Sequence, residues 1–434
     1  ATAAIREADL AGFMPASVLA HLNLSDTPPL DVRSAVQGLL SYPYGCVEQT
    51  TSTAYPHLYI DEDKARSLGL RPYTLAQRSA MLAKAISRLS AAQGANGGFS
   101  LWGGADNREY WLSAYVGNFL QDARERGFEV PAEMHRKTMD FLLKHLQEGI
   151  SGVSGKPVRI DPEDYWIDSL YAGAGRFNVL AYGGYVLARE TKAPLSTLRQ
   201  LYDLRASAAS GLSLVQLGLA LQLMGDVDKG AAAIREGLQT ARLQSYWLGD
   251  YGSDLRDMAL AYALLKRHNV DLPGVDSLLP LIAAQLKDSS WLSTQEKMAV
   301  FLAGGNVLAD PTQAGTHAPW QATLHNAAGE QQLTAKDSML LPLSVQDLAT
   351  GLQLRNTAKR PIYAELSFSG RPLTMPAALN NTITLSRQLY TPDGKAYSGD
   401  HLQSGSSLIV QVKVESPTPI ANTLVVDHIP AGLE

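Results

Sequence analysis

The sequence predicts a multidomain chain: an all-α domain closed on itself as an α/α toroid, followed by antiparallel β-sandwich modules. Three observations carry that prediction. From about Asp31 to Gly305 apolar residues recur at spacings of three and four, as in Leu75, Ala76, Leu82, Ala83, Ile86 and Leu89, the stripe of an amphipathic helix. Beyond Gly305 the period falls to two, in runs such as IYAELSFSG and SSLIVQVKVES set between Gly, Pro and Asn turns. Within the helical part a loop tryptophan precedes a helix bearing Ala-Tyr three times: Trp102 before Ala114 and Tyr115, Trp166 before Ala181 and Tyr182, and Trp247 before Ala261 and Tyr262. Repeated helix pairs with rim loops such as QGANGGFSLWGG describe a toroid whose inner helices are apolar all round and whose outer helices are amphipathic.

Taken in order, the helical stretches run Thr74 to Gln93, Glu109 to Arg126, Ala132 to Glu148, Arg176 to Glu190, Ser196 to Ala208, Leu212 to Met224, Lys229 to Arg242, Ser253 to His268, Val275 to Lys287 and Thr294 to Leu302. His135 and His145 on the third of these read as solvated. DEDK at Asp61 to Lys64 reads as an acidic turn. The β part holds at least two modules, divided near Pro372 to Leu379.

Composition excludes several classes of function. With 45% hydrophobic and 18% charged residues the chain is an ordinary globular sequence, and its net charge of −5, with no long basic block, points neither to nucleic acid nor to an anionic membrane surface. The longest apolar stretch, Leu212 to Met224, is too short and too interrupted by Gln to span a bilayer. The opening ATAAIREADL lacks the basic and apolar regions of a signal peptide, so any targeting or anchoring segment is expected outside this chain.

Cys46 is the one cysteine of the chain, so no intrachain disulfide exists, and the count does not assign a redox compartment. A lone cysteine is most often a small buried hydrophobe. Here it stands in SYPYGCVEQTTSTAYP, after Gly45 and before a polar run, which reads as a turn leading into a helix.

PYGCVEQT, at the start of a predicted toroid followed by β modules, resembles the thioester motif of the α2-macroglobulin and complement family, Gly-Cys-x-Glu-Gln; Gly45, Cys46, Glu48 and Gln49 match. The surrounding YPYGCVEQTTS and the closing VVDHIPAGLE resemble the bacterial members in particular, over essentially the whole chain. The resemblance implies an internal thioester between the Cys46 sulfur and the Gln49 side-chain carbonyl. Such a link closes a ring of about 15 atoms, the covalent analogue of an i to i+3 turn contact. An acyl group on sulfur is open to attack by an amine or hydroxyl, covalent catalysis turned to a single use, so the protein is not expected to be an enzyme. Gly45 lets the backbone turn tightly. Glu48 has two readings, a proton carrier for the bond or a cap for the helix that follows.

An activated acyl group must be walled off from water. Tyr42, Tyr44 and Trp102 are the candidates for that wall, with Trp111 a further one; rim or core packing is the simpler reading of the tryptophans. Animal relatives direct the acyl group with a His well past the Cys, and the matching region, VRIDPEDYWIDSL, has none, which points to lysine amines as acceptors. The resemblance further implies a protease inhibitor that captures attackers through their lysines and reacts with small amines such as methylamine. It implies a periplasmic lipoprotein tethered to the inner membrane, whose bait region and anchor lie outside this chain. No metal and no cofactor are called for. The domains that follow are 1–30, a connector from a preceding split β domain; 31–305, the toroid; 306–374, the second part of a CUB-like β domain; and 375–434, the start of a macroglobulin-like β-sandwich.

Two rival readings remain. Inverting glycosidases and prenyltransferases also use α/α toroids, and Asp250, Asp254 and Asp257 are the acids a glycosidase would need, although an acidic helix start explains them more simply. A prenyltransferase zinc set needs a Cys beside Asp and His, and Cys46 is already taken up by Glu-Gln. The other rival is a structural interaction module in which the thioester never forms.

Overall fold

The helical periodicity is realised as two concentric rings. The computed structural model describes residues 12–25, 30–41, 45–103, 109–153, 174–243, 249–289, 291–309, 319–335, 339–357, 362–374, 383–399, 401–417, 425–427 and 429. The chain divides into two compact units, Ala1–Leu10 with Val18–Ser369 and Ala11–Ser17 with Gly370–Glu434.

The first unit opens with strand β1 (Leu19–Ser25) and continues through helices α1 (Val32–Leu40), α2 (Val47–Tyr59), α3 (Glu62–Ser67), α4 (Leu75–Ala92), α5 (Tyr110–Glu125), α6 (Ala132–Gly149), α7 (Ala174–Ala188), α8 (Leu195–Asp203), α9 (Gly211–Leu223), α10 (Val227–Gly237), α11 (Asp254–Arg267), α12 (Leu278–Asp288) and α13 (Thr294–Ala309). Helices α2, α5, α7, α9, α11 and α13 pack each on the next, and α13 packs back on α2, closing an inner ring. Around it lie α1, α4, α6, α8, α10 and α12. Burial follows the ring. In α5 the residues from Trp111 to Ala123 are buried on every side, whereas outer α4 buries a single stripe of Leu82, Ile86 and Leu89, as the apolar periodicity requires. All three Ala-Tyr pairs fall on inner helices and are buried: Ala114–Tyr115 on α5, Ala181–Tyr182 on α7 and Ala261–Tyr262 on α11. Of the loop tryptophans paired with them, Trp166 and Trp247 lie outside the described residues.

Inner helices run parallel, and side-chain bonds fix their register. Ser52 to Tyr115, Asn118 to Tyr55 and Tyr59 to Asp122 join α5 to α2 at 2.8, 2.9 and 2.9 Å, each across 63 positions, a ladder climbing both helices together. The N-termini of the inner ring therefore share one rim and the C-termini the other. Glycine sets the spacing where α10 packs on α9. A Cβ on Gly218 would meet the Gly230 carbonyl oxygen at 2.6 Å, and one on Gly211 would meet that of Gly237 at 2.2 Å, so the two backbones approach as only glycine allows. Helix α10 stops at Gly237 rather than running on to Arg242. Three helices, α1, α2 and α3, lie in a stretch where the spacing gave only a helix after Cys46 and a turn at DEDK; Asp61 there caps α3 by accepting the Lys64 N–H at 2.8 Å.

After the toroid come strands β2 (Trp320–Asn326), β3 (Gly329–Ala335) and β4 (Met339–Leu343), helix α14 (Val345–Thr350), and strands β5 (Gln353–Asn356) and β6 (Tyr363–Ser369). They form two three-stranded antiparallel sheets, β4-β1-β6 and β3-β2-β5. Strand β1, ahead of the toroid, is the centre of the first sheet, with Leu22 opposite both Leu341 and Leu366. Alternate residues Ala20, Leu22 and Leu24 of β1 and Trp320, Ala322 and Leu324 of β2 are buried together in one core, the period-2 signature of sheets packed face to face. The toroid is thus inserted between the first two strands of a sandwich.

In the second unit β7 (Thr384–Tyr390) and β8 (Ile409–Glu415) pair antiparallel, Thr384 opposite Glu415 and Tyr390 opposite Ile409. Residues 12–14 pair with 371–373 through bonds of 2.8 Å from Leu373 N–H to the Gly12 carbonyl and from Met14 N–H to the Arg371 carbonyl.

Candidate functional site

Helix α2 begins at Cys46, and the manner of its beginning brings two side chains together. Cys46 is the N-cap, extended at φ −63° and ψ 169°, and its sulfur stands where a serine or threonine oxygen normally does in a capping box. The Gln49 N–H donates to Sγ at 3.5 Å, and the Gln49 Oε1 accepts the Cys46 N–H at 3.3 Å. Thiol and carboxamide are therefore folded back on each other across one turn. Cys46 is 5% exposed. Burial pushes its thiol up from the ordinary value, and the charges of Glu48 and Glu109 add to this, while the Gln49 and Glu48 N–H groups work against it.

Gly45 precedes the cap for a reason other than a tight turn. It is not among the described glycines with positive φ; a Cβ on it would fall 2.2 Å from Nη2 of Arg88, on α4. The absence of a side chain leaves room for that guanidinium beside the motif.

Glu48 points into the ring wall. Its carboxylate accepts Ser52 Oγ at 2.7 Å, Thr294 Oγ1 at 2.9 and 3.0 Å, and Gln295 Nε2 at 2.6 Å. Ser52 in turn shares a 2.8 Å bond with the Tyr115 hydroxyl. Glu48 thus joins the first turn of α2 to the first turn of α13, where the last inner helix meets the first.

The rim loop before α5 supplies a second acid that sequence spacing did not single out. Val47 N–H donates to the Leu101 carbonyl at 2.9 Å, Leu101 N–H donates to Glu109 Oε1 at 3.2 Å, and the Tyr251 hydroxyl donates to Glu109 Oε2 at 3.1 Å. Burial raises the Glu109 carboxyl above its usual range. Tyr251 sits at φ 51°, a left-handed conformation uncommon for a tyrosine, with its ring 5.1 Å from that of Trp111. The one sequence signal for this group was the placing of QGANGGFSLWGG on a rim.

Of the residues expected to wall the site, Tyr42 and Tyr44 lie outside the described residues. Trp102 is 80% exposed, in a turn followed by Gly103 at φ 77°. Trp111 is buried and stacks on Tyr115 at 5.2 Å. The segment VRIDPEDYWIDSL also lies outside the described residues.

Two expectations need correction. Asp254 and Asp257 do stand in the first turn of α11, but Asp250 and Asp257 are not an open acid pair. Arg242 reaches Asp257 at 2.8 Å and Asp250 at 3.0 Å, and Arg256 reaches Asp250 at 2.9 Å, all four groups being buried. His135 and His145 are not solvated. His135 is 4% exposed and 2.7 Å from Glu190, and the His145 ring lies flat on Tyr110. Burial, helped by Arg176, lowers His145 to about 3, and burial with neighbouring arginines lowers His57 and His268 to about 4. Their unfolded value is about 6.5, so between roughly pH 6.5 and 4 the unfolded chain binds more protons and stability rises with pH. A thermal midpoint that falls as pH drops from 6.5 to 4.5 is the expected result. The ion-paired Asp250, which despite its burial is held at about 2 by Arg256 and Arg242, keeps its stabilising contribution throughout that window and loses it only as pH falls below about 4. A flat profile down to pH 4.5 would mean these histidines are not buried neutral.

A family model described as the A-macroglobulin TED domain matches residues 21–157. Alpha-2-macroglobulin of Escherichia coli (strain K12) is 38% identical over 435 aligned positions, covering 100% of this chain and 25% of that protein. The chain belongs to the alpha-2-macroglobulin family. It spans about a quarter of the length of the curated alpha-2-macroglobulins it matches. Among solved structures, native E. coli alpha-2-macroglobulin from domain MG7 to the C-terminus superposes with a TM-score of 0.84 at 37% identity, covering 96% of this chain and 62% of that one. Salmonella alpha-2-macroglobulin reacted with methylamine gives 0.83 at 35% identity, covering 96% and 26%. The helical domain followed by antiparallel sheets is thus the architecture of the C-terminal part of an alpha-2-macroglobulin.

Proposed function

We propose that this chain is the thioester-bearing part of a protease trap. The observation that carries the reading is the capping box of α2, in which Cys46 and Gln49 are already each other's partners. In forming the bond, sulfur adds to the Gln49 carboxamide carbon, the thiol proton leaves with the amide nitrogen, and one ammonia is lost. In capture, a lysine amine of the attacking protease adds to the same carbon, the C–S bond breaks, the Cys46 thiol is regenerated and an amide remains. The Gln49 N–H and the positive end of α2 face the sulfur and stabilise it as a leaving thiolate. The use of methylamine with the Salmonella protein supports amines as reactants. Intact mass tests the reading: the linked form is lighter than the encoded chain by one ammonia, and methylamine should add one amine while freeing one thiol. A chain of full encoded mass with its thiol free from the outset would favour the interaction module instead.

For Glu48 the bonds to Ser52, Thr294 and Gln295 favour an anchor over a proton carrier. Glu48→Ala would take the shared acceptor from Ser52, Thr294 and Gln295, leaving Ser52 only the Tyr115 hydroxyl and Gln295 only the Ser52 hydroxyl, at about 1–3 kcal/mol for each buried group left short. Glu48→Gln keeps an acceptor oxygen. The anchor reading therefore expects the Ala variant to melt well below wild type and the Gln variant to melt near it while still forming the bond. A Gln variant that is stable yet never loses ammonia would restore the proton carrier.

We propose Tyr42 and Tyr44 as the wall of the acyl group, on their nearness to Cys46 in sequence. Tyr42→Gly is expected to release thiol with methylamine at least about tenfold faster without protease, since each 1.4 kcal/mol of easier opening is a factor of ten; an unchanged rate would remove Tyr42 from the wall. We further propose the division into connector, toroid, CUB-like domain and macroglobulin-like sandwich, with β1 placed in the CUB-like domain. We also propose, as the resemblance of the motif implies, that the whole protein is periplasmic and lipid-anchored to the inner membrane, which membrane fractionation of the full-length protein tests.

A further inference from the structure

We propose that the axial cavity of the toroid is a binding site for a small aromatic anion, a planar ring bearing one carboxylate or sulfonate. The cavity measures about 340 Å³, within the range of pockets that enclose small organic ligands. Its body is aromatic. Trp111, Tyr115, Tyr182, Tyr185 and Phe301 line it together with Met298, all of them buried, and such rings and a thioether favour an aromatic guest through stacked and edge contacts. At its inner end stands Gln295, whose amide is committed to Glu48 and Ser52.

The opening is at the other rim, where α2, α5, α11 and α13 end. There the lining turns polar, with Lys64, Asp122, Glu125, Arg126 and Arg267. Both acids are neutralised within the wall: Asp122 lies 2.7 Å from Arg189 and 2.8 Å from Arg267, and Glu125 contacts the same two arginines. Arg189 and Arg267 are spent on these two carboxylates, which leaves Arg126 as an exposed charge at the entrance. Arg126 is exposed, with its guanidinium 3.6 Å above the Tyr59 ring at the entrance. An anionic head held by Arg126, with its ring body among the aromatics behind, matches this distribution of charge and apolar surface. Its opening lies at the far end of the inner ring from Cys46, and occupation of the site uses none of the thioester chemistry.

The test is calorimetric titration of the whole chain with naphthalene-2-sulfonate and, as its uncharged counterpart, naphthalene-2-sulfonamide. One-to-one saturable binding of the sulfonate, at least about fivefold tighter than the sulfonamide, is expected for one charge-assisted bond at a partly exposed site. Arg126→Gln should remove that preference and leave the sulfonamide unchanged. Ala263→Trp, which places an indole in the cavity from α11, should weaken both at least about tenfold; Leu260→Phe, a smaller insertion into the same space, serves if the first variant does not keep its helical circular dichroism. Absence of saturable binding to wild type, equal binding by the filled variants, or equal affinity for the two probes would each overturn the proposal.

Discussion

Cys46→Ala is expected to abolish covalent capture of amines and proteases completely while the toroid stays folded. The side chain makes one long bond, to the Gln49 N–H at 3.5 Å, and loss of an N-cap costs about 1 kcal/mol. The remaining anchors of α2 do not involve sulfur: Val47 N–H on Leu101, and Glu48 on Thr294 and Gln295. Cys46→Ser sharpens the test. A hydroxyl is the better cap, so the serine variant should match or exceed wild-type stability, yet it cannot form a thioester. Both variants should show the full encoded mass, no thiol released by methylamine, and no protease adduct on denaturing gels. Loss of helical circular dichroism in both would make the cysteine a structural residue.

Arg256→Met is expected to be the most destabilising single change in the toroid. Arg256 is 2% exposed, bonds Asp250 at 2.9 Å, and its Nε lies 2.7 Å from Asp257 Oδ1 but out of line for a hydrogen bond, so that contact is held by charge alone. Without it Arg242 alone must balance two buried carboxylates. Breaking one side of a buried ion cluster costs about 3–5 kcal/mol, and a domain of this size loses roughly 2–4 °C of thermal midpoint per kcal/mol. Burial already pushes the Asp257 carboxyl up; with Arg256 gone, uptake of a proton becomes the easier way to neutralise it. A carboxyl raised in the folded state stabilises at low pH and loses that contribution as pH rises. The deficit relative to wild type should therefore be smaller at pH 5 than at pH 7.5. Asp257→Leu added to Arg256→Met should recover part of it. A midpoint within 2 °C of wild type in melting curves would show that water reaches the cluster.

The periodicity that reveals helices was legible wherever a helix buries a stripe, and the outer ring follows it closely. It failed for α1 and α3, whose nine and six residues leave too few turns to establish a period, and it gave no bounds to the helix after Cys46, α2, where polar residues such as Thr51 and Ser52 occupy buried positions. It failed again at β1, whose alternation is carried by three residues only, Ala20, Leu22 and Leu24. At the site, Cys46 and Gln49 were singled out by their resemblance to the Gly-Cys-x-Glu-Gln motif, and their spacing of three is what lets one helical turn fold the two side chains together. The partners of Glu48 could not be singled out. Thr294 and Gln295 lie 246 and 247 positions away, and nothing in a local pattern records a contact made by closing a ring. Glu109 escaped for the same reason, being tied to the motif through the backbone of Leu101 and to Tyr251 142 positions on.

The insertion of the toroid into the sandwich has a consequence for how this protein is made. Leu22 must find Leu341 and Leu366, residues synthesised roughly 320 to 345 positions later, which at about 5–20 residues per second is a wait of about 15–70 s. For that time β1 is a strand with two unpaired edges and an apolar face of Ala20, Leu22 and Leu24, the kind of segment that recruits other chains. Order of synthesis therefore favours a toroid that closes upon itself while the ribosome is still at work. Once Thr294 and Gln295 have reached Glu48, α13 is fixed beside α1 and α2, and the span between β1 and the emerging β2 shrinks from a loose loop to a folded body. The ring's closure converts a search across some three hundred residues into one over a few tens of ångströms, and slow translation between residues 295 and 369 would lengthen the interval in which an unfinished sandwich can aggregate.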